Sequence, residues 1–97
     1  MIYTLPNLEN NEWWNNCPQV FEPGDFLLTT VGIRFVIISK TDVQTKIGKR
    51  CRICYIKFYT RENPIQKAID IPYGVNQISV FMYMNGLTKV TLVRDTA

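Results

Sequence analysis

Short runs of apolar and β-branched residues, separated by turn-forming residues, make up most of the chain from Gly24 onward. Runs of this length and composition are typical of β-strands and are too short for most helices. The pattern predicts six strands, near residues 26–31, 33–39, 50–60, 67–71, 76–84 and 87–94. We therefore predict an all-β fold, a small SH3-like barrel or sandwich of about six antiparallel strands with an irregular N-terminal arm.

The dipeptide Asn85-Gly86 separates the last two predicted strands, and it favours a two-residue type I′ turn because both residues tolerate positive φ. Both faces of the resulting hairpin are largely apolar, as are both faces of residues 33–38. A domain of this size has little interior for such strands, so we expect a partner or the arm to cover one face. Burial within the domain itself is the alternative. One candidate docking face on this hairpin consists of Phe81, Tyr83, Val90 and Leu92.

Residues 1–24 differ from the rest of the chain, since they are rich in asparagine, interrupted by prolines and contain both tryptophans. We predict an N-terminal arm over 1–24, extended or a short helix, followed by a small β-barrel domain over 25–97. Two adjacent tryptophans are large apolar groups that favour burial against another surface. Trp13 and Trp14 are therefore predicted to be anchors of a protein interface.

The composition predicts one soluble domain, because 97 residues with 46% hydrophobic and 20% charged side chains match a single globular core. No apolar stretch is long enough to cross a bilayer, and the first residues resemble no secretion leader. The three cysteines are odd in number, which favours free thiols in a reducing compartment. We expect a cytoplasmic or virion location and no secretion.

Residues suited to catalysis or metal binding are scarce. The chain has no histidine, and most of its carboxylates adjoin predicted turns. Cys51 and Cys54 have the spacing of half a zinc knuckle, but residues three apart on a strand point to opposite faces. We therefore predict no catalytic residue, no metal site, no cofactor and no enzymatic activity.

Charge is distributed unevenly along the chain. Residues 1–25 carry a net charge of −4 and residues 46–67 a net charge of +6. Aromatic residues alternate with the cations of the basic segment, as a strand that follows phosphates and stacks on bases would require. Contact with the acidic arm of another copy, or simple solvation, would use the same charges. The candidate nucleic-acid-binding residues are Lys46, Lys49, Arg50, Arg52, Lys57 and Arg61.

The segment of residues 21–28, with its Pro23-Gly24-Asp25 turn, resembles the turn that opens the first strand in many SH3-like barrels. Small connector and decoration proteins of phage particles are among them. The resemblance implies a small barrel and transfers no functional residue.

These observations predict a non-enzymatic structural or adaptor protein that docks within a larger assembly, with a virus or phage particle as the expected setting. We expect a protein partner or self-association, and neither a membrane nor a small-molecule ligand. The alternative is a nucleic-acid-binding module that uses residues 46–61.

Overall fold

A computed structural model describes residues 2–5, 17–60 and 62–95 of the chain, in which six strands and one helix are found. In chain order the elements are β1 (Ile2–Leu5), β2 (Phe26–Thr29), β3 (Arg34–Thr45), β4 (Gly48–Phe58), β5 (Pro64–Pro72), α1 (Gln77–Met84) and β6 (Val90–Val93).

The strands form a single sheet in the order β1-β6-β2-β3-β4-β5, and every neighbouring pair is antiparallel. The all-β, antiparallel prediction is therefore confirmed. Among the described residues the sheet is open, with β1 and β5 at its edges, so closure into a barrel is not confirmed. Strands β2 to β5 follow one another as a meander, and β6 returns to lie beside β2.

The long hairpin of β3 and β4 dominates the sheet. A two-residue turn at Lys46 and Ile47 joins the strands, followed by Gly48 with a φ of +110° that favours glycine. The pairing shifts between Ile37 and Ser39, which marks a β-bulge in β3. Both strands extend closer to the turn than the sequence pattern predicts.

The predicted strand 76–84 and its hairpin are wrong, because this segment forms α1. Asn76 caps the helix by accepting a hydrogen bond from the Ser79 backbone N–H at 3.0 Å. Asn85 has a φ of −100° and Gly86 a φ of +66°, which excludes a type I′ turn. The Gly86 and Leu87 N–H groups instead bond back to the carbonyls of residues 83 and 82, which is a Schellman cap.

The predicted arm contributes to the domain at both of its ends. Ile2–Leu5 pairs with β6 as an edge strand, a strand that the sequence pattern did not predict. Further along, Phe21 lies fully buried in the core. The boundary at residue 24 is therefore not a boundary of the fold. Trp13 and Trp14 lie outside the described residues.

The core lies between α1 and one face of the sheet, called here the inner face. Phe81 of α1 lies at its centre, and the rings of Phe21, Phe35 and Tyr55 make edge contacts with it at centroid distances of 4.9 to 5.2 Å. The buried hydrophobic residues of the core are Phe21, Leu27, Phe35, Ile37, Cys51, Ile53, Tyr55, Ile69, Ile71, Ile78, Phe81, Met82, Val90 and Leu92.

Candidate docking surface

The face of the sheet opposite α1, called here the outer face, carries a continuous row of apolar side chains. The register places one residue from each strand in this row, because cross-strand partners in an antiparallel sheet point to the same side. The row runs from edge to edge as Ile2, Val93, Phe26, Val36, Ile56 and Gln66, apolar at every position but the last. Ile2 is 69% exposed, and Phe26, Val36 and Ile56 are half-buried.

A second row lies beside the first and contains one cation. Its cross-strand partners are Thr91, Leu28, Arg34, Phe58 and Pro64. The exposed Arg34 therefore lies between Leu28, which is 37% exposed, and the half-buried Phe58. We call the six central residues of the two rows the outer patch. They are Phe26, Leu28, Arg34, Val36, Ile56 and Phe58.

The outer patch contains a depression of about 420 Å³, which is lined by Arg34, Ile56, Phe58 and Pro64. A second, smaller depression of about 120 Å³ adjoins it, because Arg34 and Phe58 also line that one. Three of the four residues around the larger depression are apolar, and the guanidinium of Arg34 is its charged group. The depression suits an apolar side chain with an anion beside it.

The other arginines of the outer face have an internal carboxylate nearby. Arg52 makes a two-pronged contact with Asp70, at 2.7 Å from Nε to Oδ1 and 2.9 Å from the second nitrogen to Oδ2. This hydrogen-bonded pair holds the pKa of Asp70 below its ordinary value, and Arg50 lowers it further. No carboxylate within the described parts of the chain pairs with Arg34.

The docking face predicted on the C-terminal hairpin is not a surface. Phe81 and Leu92 are fully buried and Val90 is 1% exposed, because α1 packs its buried residues against the inner face, on which Val90 and Leu92 of β6 lie. Tyr83, at 75% exposed, is the member that reaches solvent. Together with Val75, Asn76, Ser79 and Val80, it lines a depression of about 410 Å³ on the solvent-facing side of α1.

The basic residues predicted for nucleic-acid binding do not form one surface. On β4, Arg50 and Arg52 lie on the outer face, whereas Lys49 and Lys57 lie on the inner side, as strand alternation predicts. Lys49 pairs with Asp42 at 3.6 Å, and Lys57 lies over the rings of Phe35 and Tyr59.

The aromatic residues of the basic segment are divided as well. Tyr55 is buried in the core and its hydroxyl meets the Asn85 side chain at 3.3 Å, so its ring is not free to stack on a base. Tyr59 is 58% exposed, and Lys46 is exposed at the hairpin turn. Arg61 lies outside the described residues.

The three cysteines are free thiols in different environments. Cys51 is buried in the core, and Cys54 points to the outer face. Burial raises the pKa of the Cys17 thiol to about 11 and also raises that of Cys51, so both are poor nucleophiles near neutral pH. No group of three or more potential metal ligands occurs in the described ranges.

Comparisons of the chain with protein-family models, curated proteins and solved structures found no match. Within the described residues, the helix α1 has 8 residues and is too short to cross a membrane.

Sequence reasoning missed the outer patch, although part of its signal is visible. Residues 33–38 are apolar at positions that face both sides of a strand, and Val36 is one of them. The partners of Val36 on β2 and β4 depend on strand order and register, which a single sequence does not provide. Arg34 interrupts the apolar pattern and gave no sign that it lies within an apolar surface.

Proposed function

We propose that the chain is a non-enzymatic structural or adaptor protein that docks within a larger multi-subunit assembly through the outer face of its sheet. The carrying observation is the apolar row of Val93, Phe26, Val36 and Ile56 on the face opposite α1. An antiparallel sheet with one face in water normally alternates apolar and polar residues, and grouped apolar side chains on a surface mark contact sites. Aromatic residues and arginine are also enriched in protein interfaces.

An SH3-like barrel and a virus or phage particle as the setting are parts of the same proposal. The meander of β2 to β5, with β6 returning beside β2, supports the barrel. The turn before β2 supports it too, since Gly24 has a φ of +94° there. A location in the cytoplasm or in a virion follows from the proposed role.

Photo-crosslinking tests the docking function. The photoreactive residue p-benzoylphenylalanine replaces Leu28 on the outer face or, as a control, the exposed Gln44 near the hairpin turn. The variants are expressed in the natural source of the protein and irradiated. We expect a discrete adduct, with another protein or with a second copy, from position 28 and none from position 44.

Two other results would overturn this assignment. Failure of both positions to form an adduct would remove the docking function. An adduct from a third variant at Tyr83, without one from Leu28, would move the docking site to the helix side of the domain.

We propose nucleic-acid binding at the hairpin turn as the alternative function. Lys46 and Arg50 line a depression of about 370 Å³ with Thr45, Ile47 and Asp70, and neither cation belongs to a salt bridge of the described residues. The alternative predicts binding to single-stranded DNA that weakens steeply with salt and is lost when Lys46, Lys49 and Arg50 are all replaced by glutamine. Fluorescence anisotropy at low salt checks it, and absence of binding there removes it.

A further inference from the structure

The outer patch combines two properties that specify a partner, an apolar floor and a cation, Arg34, that pairs with no carboxylate of the described residues. Arg34 is flanked across the sheet by Leu28 and Phe58, so its charge lies within an apolar surface. Arg52, on the same face, has its charge balanced by Asp70 at hydrogen-bond distance. If a partner without an anion covered the guanidinium, the guanidinium would lose its hydration and form no ion pair to compensate.

We infer that the outer patch binds an acidic peptide segment in which a large apolar side chain lies next to a carboxylate. The inference rests on the proposed docking function and adds the chemistry of the partner. The apolar side chain fills the depression of about 420 Å³ between Ile56, Phe58 and Pro64. The adjacent carboxylate pairs with Arg34, whose planar donors suit a carboxylate held by two hydrogen bonds.

Charge on the outer face favours this partner over a second copy of the chain that binds through its own outer patch. The described strands place three arginines on that face, Arg34, Arg50 and Arg52, against the single carboxylate of Asp70. Two such faces in contact would bring like charges together. An acidic segment neutralises the excess instead.

The test uses the full chain and a capped peptide, Gly-Glu-Trp-Trp-Glu-Gly, with a matched peptide in which both glutamates are glutamine. Binding is followed by backbone amide chemical shifts in NMR spectra. We expect the glutamate peptide to shift the amides around Leu28, Arg34 and Phe58, and to bind about tenfold more tightly than the glutamine peptide.

Charge reversal at one position identifies the residue responsible. Arg34→Glu is expected to weaken binding of the glutamate peptide by at least about tenfold. Lys89→Glu makes the same change of net charge at an exposed position before β6 and is expected to leave binding unchanged. Arg34→Gln serves if the glutamate variant loses its dispersed NMR spectrum, and it is expected to act in the same direction.

Three results would overturn the inference. They are no binding of the glutamate peptide, equal binding of the two peptides, and unchanged binding in both Arg34 variants. Oligo(dT) is added as a competing probe, and its binding through Arg34 without binding of the peptide would assign the patch to nucleic acid. None of these results affects the crosslink from Leu28, so a wrong partner chemistry is distinguishable from a wrong docking function.

Discussion

The buried carboxylate of Asp25 connects two parts of the chain that are distant in sequence, the turn before β2 and the residues after β6. It is 1% exposed and accepts hydrogen bonds from Arg94 Nε at 2.8 Å and from the Glu22 backbone N–H at 2.9 Å. Arg94 also donates to the carbonyl of Val20 at 2.8 Å. This pair therefore holds the turn before β2 against the residues that follow β6.

Replacing Arg94 with alanine is expected to destabilise the fold by about 3 kcal/mol, because it leaves the Asp25 carboxylate buried without its cation. Urea unfolding followed by circular dichroism measures the change. Arg52→Ala is the matched control, since it breaks a similar two-pronged pair with Asp70 in which both side chains are partly exposed. A shift in the Arg94 variant no larger than in the control would contradict a structural role for the buried pair.

Tyr73 provides a test at the hairpin end of the sheet. Its hydroxyl donates to the Asp42 carboxylate, and this hydrogen bond raises the pKa of Tyr73 to about 12 while lowering that of Asp42. A raised pKa in the folded state means that the contribution to stability is complete below about pH 10 and is lost as pH rises toward 12. Asp42→Asn should bring the pKa of Tyr73 down toward its ordinary value.

Tyrosinate absorbance measured against pH checks the Tyr73 prediction. The Tyr73→Phe variant identifies which step of the titration belongs to this residue. If Asp42→Asn leaves that step at its high pH, the Asp42 carboxylate is not the cause of the shift.

At the level of elements, α1 depends on its two caps more than on helix propensity, because β-branched and aromatic residues fill much of it. Asn76→Ala is expected to cost about 1 kcal/mol by removing the N-cap hydrogen bond. Gly86→Ala is expected to cost about 1 kcal/mol through its positive φ, since no atom lies within 4 Å of the added methyl group.

Thermal unfolding measures both cap variants, and Ser79→Ala is the control because it keeps the backbone N–H that Asn76 accepts from. If this segment formed a hairpin, Asn76 would cap no helix and its replacement would remove no capping hydrogen bond. An unchanged midpoint for Asn76→Ala would therefore contradict the helix.

The same segment shows why the sequence predicted the sheet but not the layer that covers it. Ile78, Phe81 and Met82 have the i, i+3, i+4 spacing of a helix face, yet their neighbours are equally apolar, so alternation and helical periodicity both fit. Asn-Gly also fits both structures, because a type I′ turn and the C-terminal end of a helix each favour Asn or Gly at a position with positive φ. Tertiary packing of Phe81 against the aromatic core decides between them.

The positions of β2 to β6 were predictable because each contains a short run of β-branched or aromatic residues near turn residues, although β3 and β4 extend beyond those runs. Strand β1 was not, since Ile2–Leu5 has four residues and becomes a strand by pairing with β6, almost the whole chain away. The candidate site depends on such long-range pairing, because register alone brings Phe26, Val36 and Ile56 together. The inner face is covered by α1 together with Phe21, which is the alternative of burial within the domain, and cover of the other face by a partner stays a prediction.

At the scale of the whole molecule, the proposed function requires that the two faces of the sheet differ in what they contribute to stability. Ile53 and Ile56 make this testable, because both lie in β4, between the same neighbouring strands, and point to opposite faces. Ile53 is fully buried against the core, and Ile56 is half-buried in the outer patch.

Ile53→Ala is expected to destabilise the isolated chain by about 2 to 5 kcal/mol, since it leaves a cavity in a closed core. Ile56→Ala is expected to cost about 1 kcal/mol, because water already reaches that side chain and less apolar area is lost. Urea unfolding of the two variants measures the difference. Equal costs would mean that the chain itself covers the outer face, and the sheet would then have two cores and no docking surface.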